Sequence, residues 1–250
     1  MPEDPRLERI YEGIELVGCV GNPAARTMCI MSFVACLAGE GRTDAPMTAS
    51  PVIRAFAIII NDRMPPEVRR RLKPFAPRII GTNDGLDEAR TELLRRALAE
   101  EVLPLVLGGR DAGHAPVRGR RGVLGRAWIG LFKGGLRRRI ADLLDQAAYD
   151  QRPDLGIDLA HATGEILSLY ALEAGNSEEG GRFWGKAIEI LDRLCNVGAE
   201  TRAPGVRPDR LEWLERTVAT HERVVGRGDA ELAPPPPPPP GLPTWLSGAA

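Results

Sequence analysis

Apolar residues recur along this chain at three- and four-residue intervals, and no stretch alternates apolar with polar positions over strand length. That pattern predicts helices throughout. Residues 6–18 read as a short first helix. The segment Met28–Glu40 is apolar nearly all round, which predicts a buried core helix from about Ala24 to Ala38. Asn22-Pro23 would open it, and Gly39 and Gly41 would close it in the left-handed cap conformation. Ser50-Pro51 opens a second core helix that carries Ile53, Phe56, Ile59 and Ile60 to Asn61-Asp62. After Met64, four prolines (Pro65, Pro66, Pro74, Pro77) predict a short helix near Glu67–Leu72 and then an extended, turn-rich link to Thr82.

Residues 85–107 give the clearest amphipathic helix. Leu86, Ala89, Leu93 and Ala97 form one row, and Leu94, Leu98, Val102 and Leu105 form its neighbour. Glu92 and Arg96 pair at i,i+4 on the wet side, and Pro104 bends the end. Further on, Phe132, Leu136, Ile140, Leu143 and Ala147 make another stripe. Asp154 can cap a helix carrying Leu155, Leu159, Ala162, Ile166 and Leu169. Ser177 can cap one carrying Trp184, Ile188, Leu191 and Cys195, which stops near Asn196–Gly198. The last helix, 208–225, sets Leu211, Leu214, Val218, His221 and Val225 in a heptad-like row that offers a homo-oligomer contact. Seven consecutive prolines, Pro234 to Pro240, then form a polyproline II rod tipped by Leu242-Pro243-Thr244-Trp245-Leu246.

The expectation is an all-α, irregular multi-helix bundle with a disordered polyproline tail. It divides into a helical region 1–109, a basic loop 110–125, a second helical region 126–226 packing on the first, and the tail 227–250. Composition changes this picture at one place. The chain of 250 residues carries a net charge of −1, yet Arg110–Arg139 holds nine Arg or Lys against one acid, Asp111. The remainder is therefore acidic. The four cysteines show no C-x-x-C spacing, which suits reduced thiols in a cytoplasmic protein. Neither a signal peptide nor a bilayer-length apolar run is present, since Arg54 and Pro104 interrupt the longest ones.

Residues 28–40 are followed by Asp44, Ser50-Pro51-Val52-Ile53, Asn61-Asp62, Leu72-Lys73-Pro74 and Ile80-Gly81-Thr82. That succession resembles a family of uncharacterised proteins from actinobacterial genomes and their phages. Ala187-Ile188-Glu189-Ile190-Leu191-Asp192-Arg193-Leu194 is similar to the family's closing helix. The resemblance implies an α-helical intracellular protein and brings no catalytic residue with it. The chain departs from the family at Arg118-Gly119-Arg120-Arg121-Gly122 and in its tail.

Candidate chemistry is sparse. Arg118, Arg120 and Arg121, with Arg126, Lys133 and Arg137 on one helical face beyond them, fit nucleic acid, an acidic protein or, less well, an anionic membrane surface. The bland alternative is a solvated loop and helix. Asp158, His161 and Glu165 share one helix flank and could supply half a metal site or a base with its orienting carboxylate, as in a small hydrolase. The alternative is the polar edge of an amphipathic helix. Cys29 and Cys36 share a face whose apolar neighbours favour structural thiols. Glu40, Asp44, Asn61, Asp62 and Lys73 are polar residues at the ends of the two core helices, and antiparallel packing would split them. No phosphate-binding glycine loop occurs, no cofactor is expected, and the reading is a non-enzymatic binding or scaffold protein. The tail reads as a spacer or as a docking peptide for a polyproline-recognising partner.

Overall fold

Ser50 and Pro51 start a helix for the reasons their types suggest. The Ser50 hydroxyl accepts from the Ile53 amide at 3.3 Å, and Pro51 fills the first helical position, where no amide is needed. In the computed structural model, which describes residues 5–108, 154–203 and 205–226 together with Gly135, Arg138 and Asp142, this helix is α3 (Pro51–Arg63). It follows α1 (Pro5–Gly13) and α2 (Ile30–Ala38).

The N-terminal expectation needs correcting. The first helix stops at Gly13, α2 begins only at Ile30, and the residues between include a three-stranded sheet. Strand β3 (Thr27–Met28) lies between β1 (Glu15–Leu16), which it parallels, and β2 (Gly21–Asn22), to which it is antiparallel. The protein is helix-rich rather than strictly all-α. Strands of two residues are too short for an alternating pattern to show. Cys29 is the N-cap of α2, its sulfur accepting from the Ser32 amide at 3.3 Å. Gly39, at φ 80°, closes the helix as expected.

The proline-rich stretch is also helical rather than extended. Helix α4 (Pro66–Arg69) passes through a 3₁₀ segment (Arg70–Phe75) into α5 (Ala76–Ile79), with Pro65, Pro66 and Pro77 at helix starts, where the missing amide costs little, and Pro74 inside the 3₁₀ segment. Next come α6 (Asp87–Ala97), a π turn (Leu98–Val102) and α7 (Leu103–Gly108). Pro104 cannot donate to the carbonyl of Glu100, and the ladder widens just before it: Leu103 N–H donates to Leu98 O, five residues back. Glu92 pairs with Arg95, at 2.7 Å, and Arg96 approaches Glu100 instead.

Helix α8 (Leu155–Ala174) follows without a capping bond from the Asp154 side chain; Ser177 does cap α9 (Glu178–Asn196), accepting from Gly180 N at 3.2 Å. The last helix is α10 (Pro208–Gly226). Its Leu211, Leu214 and Val218 are buried within the chain, Val218 against Gly13 of α1, and Arg9 of α1 pairs with Glu215 at 2.6 Å. The Val225 side chain lies outside the described residues.

The core centres on α3, α8 and α9. Gly156, Ala160, Gly164 and Ser168 recur every four residues along α8, and all four are buried. At Gly156 an added Cβ would overlap Thr91 Oγ1 and stand 2.8 Å from Val52 Cγ2, so the first turns of α3, α6 and α8 meet there. At Gly164 it would stand 2.8 Å from Ile59 Cγ2, near the end of α3, so α3 and α8 run in the same direction. Near one end, Arg90 reaches the last carbonyls of α9; toward the other, Glu101 binds Lys186 and Arg193. Helix α6 is thus antiparallel to α9 and parallel to α8.

The Ser168 hydroxyl is fully buried and has no hydrogen-bond partner. A buried unpaired hydroxyl costs more than a methyl. Ser168→Ala is therefore expected to raise stability by about 1 kcal/mol in chemical denaturation, and a loss of that size would show that the hydroxyl has a role.

Candidate functional site

Polar side chains gather at three places in the fold, and the first is centred on Arg90. Its side chain is 0% exposed although it carries a full charge. Two parallel bonds join it to Asp84, at 2.7 and 2.8 Å, and a third contact reaches Asp87 at 3.2 Å. The guanidinium also donates to Leu194 O at 3.5 Å and Val197 O at 3.1 Å at the end of α9. Arg202 completes the group by donating to the carbonyls of Arg78, Cys195 and Val197 while lying 3.5 Å from Asp84. The hydrogen bonds from Arg90 hold the Asp84 carboxyl down to about 2. Ser50 Oγ, besides capping α3, donates to Asp87. Carboxylates and guanidiniums pair with one another here, so the group fastens the ends of α3, α5, α6 and α9 together. The sequence gives little sign of Arg90's role, because a helical arginine three residues after an aspartate looks like an ordinary surface pair.

A second grouping lies where α2 begins and α3 ends. Asn61 is fully buried: its Oδ1 accepts from Ile30 N at 3.3 Å, while Nδ2 donates to Val17 O at 2.8 Å and Asp62 at 3.0 Å. Arg69 donates to Leu16 O, Asn61 O and Met64 O. At the opposite end of α2, Glu40 accepts from the amides of Met47 and Thr48, while Lys73 donates to Tyr11 O and feels the charge of Glu15 in β1. The expected split of the polar set holds for these residues but not for Asp44. Its loop folds back along α2, with Arg42 donating to Gly21 O, so that Asp44 repels charge at both Cys29 and Asp62. Burial, and then Asp44, raises the Asp62 carboxyl although this side chain reaches the surface. Burial raises the Cys29 thiol against the hydrogen bonds from Ser32, which disfavours its thiolate and makes it a slow attacking sulfur. It pushes Cys36 and Cys195 up to about 12.

On the third, the α8 flank, Asp158, His161 and Glu165 are each half-buried. Glu165 lies 3.6 Å from Arg63. Among the described residues no three His, Cys, Asp or Glu side chains stand close enough to hold a metal ion.

No match emerges from comparison with protein-family models, curated proteins or solved structures. Any functional reading therefore rests on this chain's own residues.

What remains is the basic segment. Arg118, Arg120, Arg121, Arg126, Lys133 and Arg137 lie outside the described residues, as do the Pro234–Pro240 rod and its tip. Three positions beside them are described: Gly135, Arg138 and Asp142 are helical and exposed. Their i, i+3, i+7 spacing is one helical face. Arg138 is accordingly a cation on an open face. No helix among the described residues is long and apolar enough to cross a membrane.

Proposed function

We propose that the protein is a non-enzymatic helical binding or scaffold protein that engages an anionic partner, a nucleic acid or an acidic surface, through Arg110–Arg139. The observation that carries the reading is charge. Nine basic residues face one acid in this segment, while the rest of the chain holds 24 basic and 33 acidic residues. The buried arginines of the framework support it by contrast. Arg90 spends its donors, and Arg202 its two Nη groups, on carboxylates and carbonyls at fixed positions, whereas the segment itself contains only Asp111 to neutralise its cations. Contacts between such cations and phosphates gain from counterion release, which makes affinity fall steeply with salt.

The test is a salt series of binding to duplex DNA, RNA and anionic vesicles, with the intact protein and with Arg118, Arg120 and Arg121 all changed to Ala. Each cation withdrawn from a phosphate lowers the slope of log affinity against log salt by about 0.7–0.9, so the triple variant is expected to lose about 2–3 units of slope on nucleic acid. Absent or salt-insensitive binding, or binding unaffected by the substitutions, rejects the proposal. The vesicle arm separates a nucleic acid from an acidic surface.

A further inference from the structure

Strand β3 sits between two strands that are themselves joined by a very short connection. Leu16 of β1 and Gly21 of β2 both flank Met28, one on each side. Adjacent strands lie about 4.8 Å apart, so those two residues stand about 10 Å apart. Only Val17, Gly18, Cys19 and Val20 join them. This four-residue arch must cross the end of β3, and the residue leaving β3 there is Cys29.

Contacts fix the arch in that place. Val17 N donates to Met28 O at 2.9 Å, and Val17 O accepts from Asn61, which also accepts from Ile30 N. A Cβ on Gly18 would stand 3.5 Å from Asp62 O and 3.7 Å from Arg69 Nη2, so α3 closes over the near side. Cys19 is therefore carried across the first residues of α2. The two cysteines differ in access: Cys19 is exposed and Cys29 is 4% exposed, and both are free thiols. Disulfides need Cα separations of about 4.4–6.8 Å, which is one strand spacing and a little more.

We propose that Cys19 and Cys29 form an oxidisable pair, in which the exposed thiol reacts first and the capping thiol resolves it into an intramolecular disulfide. With hydrogen peroxide as oxidant, the Cys19 thiolate attacks one peroxide oxygen, the O–O bond breaks, and Cys19 sulfenic acid and water result. The Cys29 sulfur then attacks the Cys19 sulfur. An S–S bond forms, the S–O bond breaks, and the hydroxide leaves as water with the proton from Cys29. Peroxide is reduced to two waters, and the two thiols lose two hydrogens. The product staples the arch to the start of α2.

The experiment uses the full chain with Cys36→Ala, because Cys29 and Cys36 otherwise share one tryptic peptide. After treatment with equimolar hydrogen peroxide the protein is unfolded with an alkylating agent and mapped without reductant. The expected result is a mass loss of two hydrogens and a peptide containing Cys19 joined to one containing Cys29, with Cys195 alkylated. Adding Cys29→Ala is expected to replace that link by sulfenic or higher oxides on Cys19. Finding Cys29 fully alkylated while Cys19 is oxidised, or joined to a second molecule, overturns the pairing. Should either variant fail to fold, the wild-type map, with Cys29 and Cys36 distinguished by fragmentation, separates the same two outcomes.

Discussion

Replacing Arg90 by methionine is expected to lower the free energy of unfolding by about 3–5 kcal/mol, the cost of removing one partner from a buried ion pair. Methionine keeps much of the apolar stem, so the loss isolates the guanidinium rather than the packing. Without it Asp84 loses two charge-assisted bonds, and the carbonyls of Leu194 and Val197 lose their donor. Lysine restores little, because one ammonium cannot meet acceptors on both α9 and the Asp84 loop. Denaturant titration measures the effect, and a cost below about 1 kcal/mol would mean the network is no better than a surface pair. A pH series gives a second readout. Asp84 has a folded value of about 2 against an ordinary 3.8, so its contribution is present above the ordinary value and is lost as pH falls toward 2. The acid-side loss should flatten in the methionine variant.

Gly164→Leu carries the next largest expected effect. Replacing a mid-helix glycine ordinarily gains up to about 1 kcal/mol of helix propensity. Here a Cβ alone would stand 2.8 Å from Ile59 Cγ2 and 3.2 Å from Ile59 Cβ, and the rest of the leucine must enter the packed space beside Phe56. Overpacking of this kind costs about 1–3 kcal/mol, and with α3 pressed along α8 by two glycines the upper end is expected, outweighing the propensity gain. Leucine at exposed Gly181 of α9, where an added Cβ meets nothing within 4 Å, should be neutral or stabilising. Equal stability of the two variants would show that the α3–α8 contact relaxes freely.

Those two positions also show what can be read from a chain of this kind. Helices announced by strong local chemistry were legible: Ser50-Pro51 and Ser177 begin α3 and α9, and Gly39 ends α2. The α3–α8 contact was not legible, because glycines at four-residue spacing look like weak helix until a partner is known. The sheet was hidden by the brevity of its strands. The proline-rich link misled because four prolines normally break structure, whereas here helical turns are spliced around them. The role of Arg90 is not legible because its burial depends on α9 and Arg202, far along the chain. The basic segment was legible as charge alone.

The shared direction of α6 and α8 has one more consequence. A polypeptide leaving at Gly108 ends up at the far side of the bundle from Leu155, roughly 25 Å away at 1.5 Å per residue. Antiparallel neighbours can be joined by a tight hairpin; these cannot. About eight fully stretched residues are the least that could make the journey, so evolution can trim the arginine-bearing stretch only so far before one helix must reverse. The connection from 109 to 153 is several times longer than that minimum, so the crossing alone does not account for the length of the basic segment.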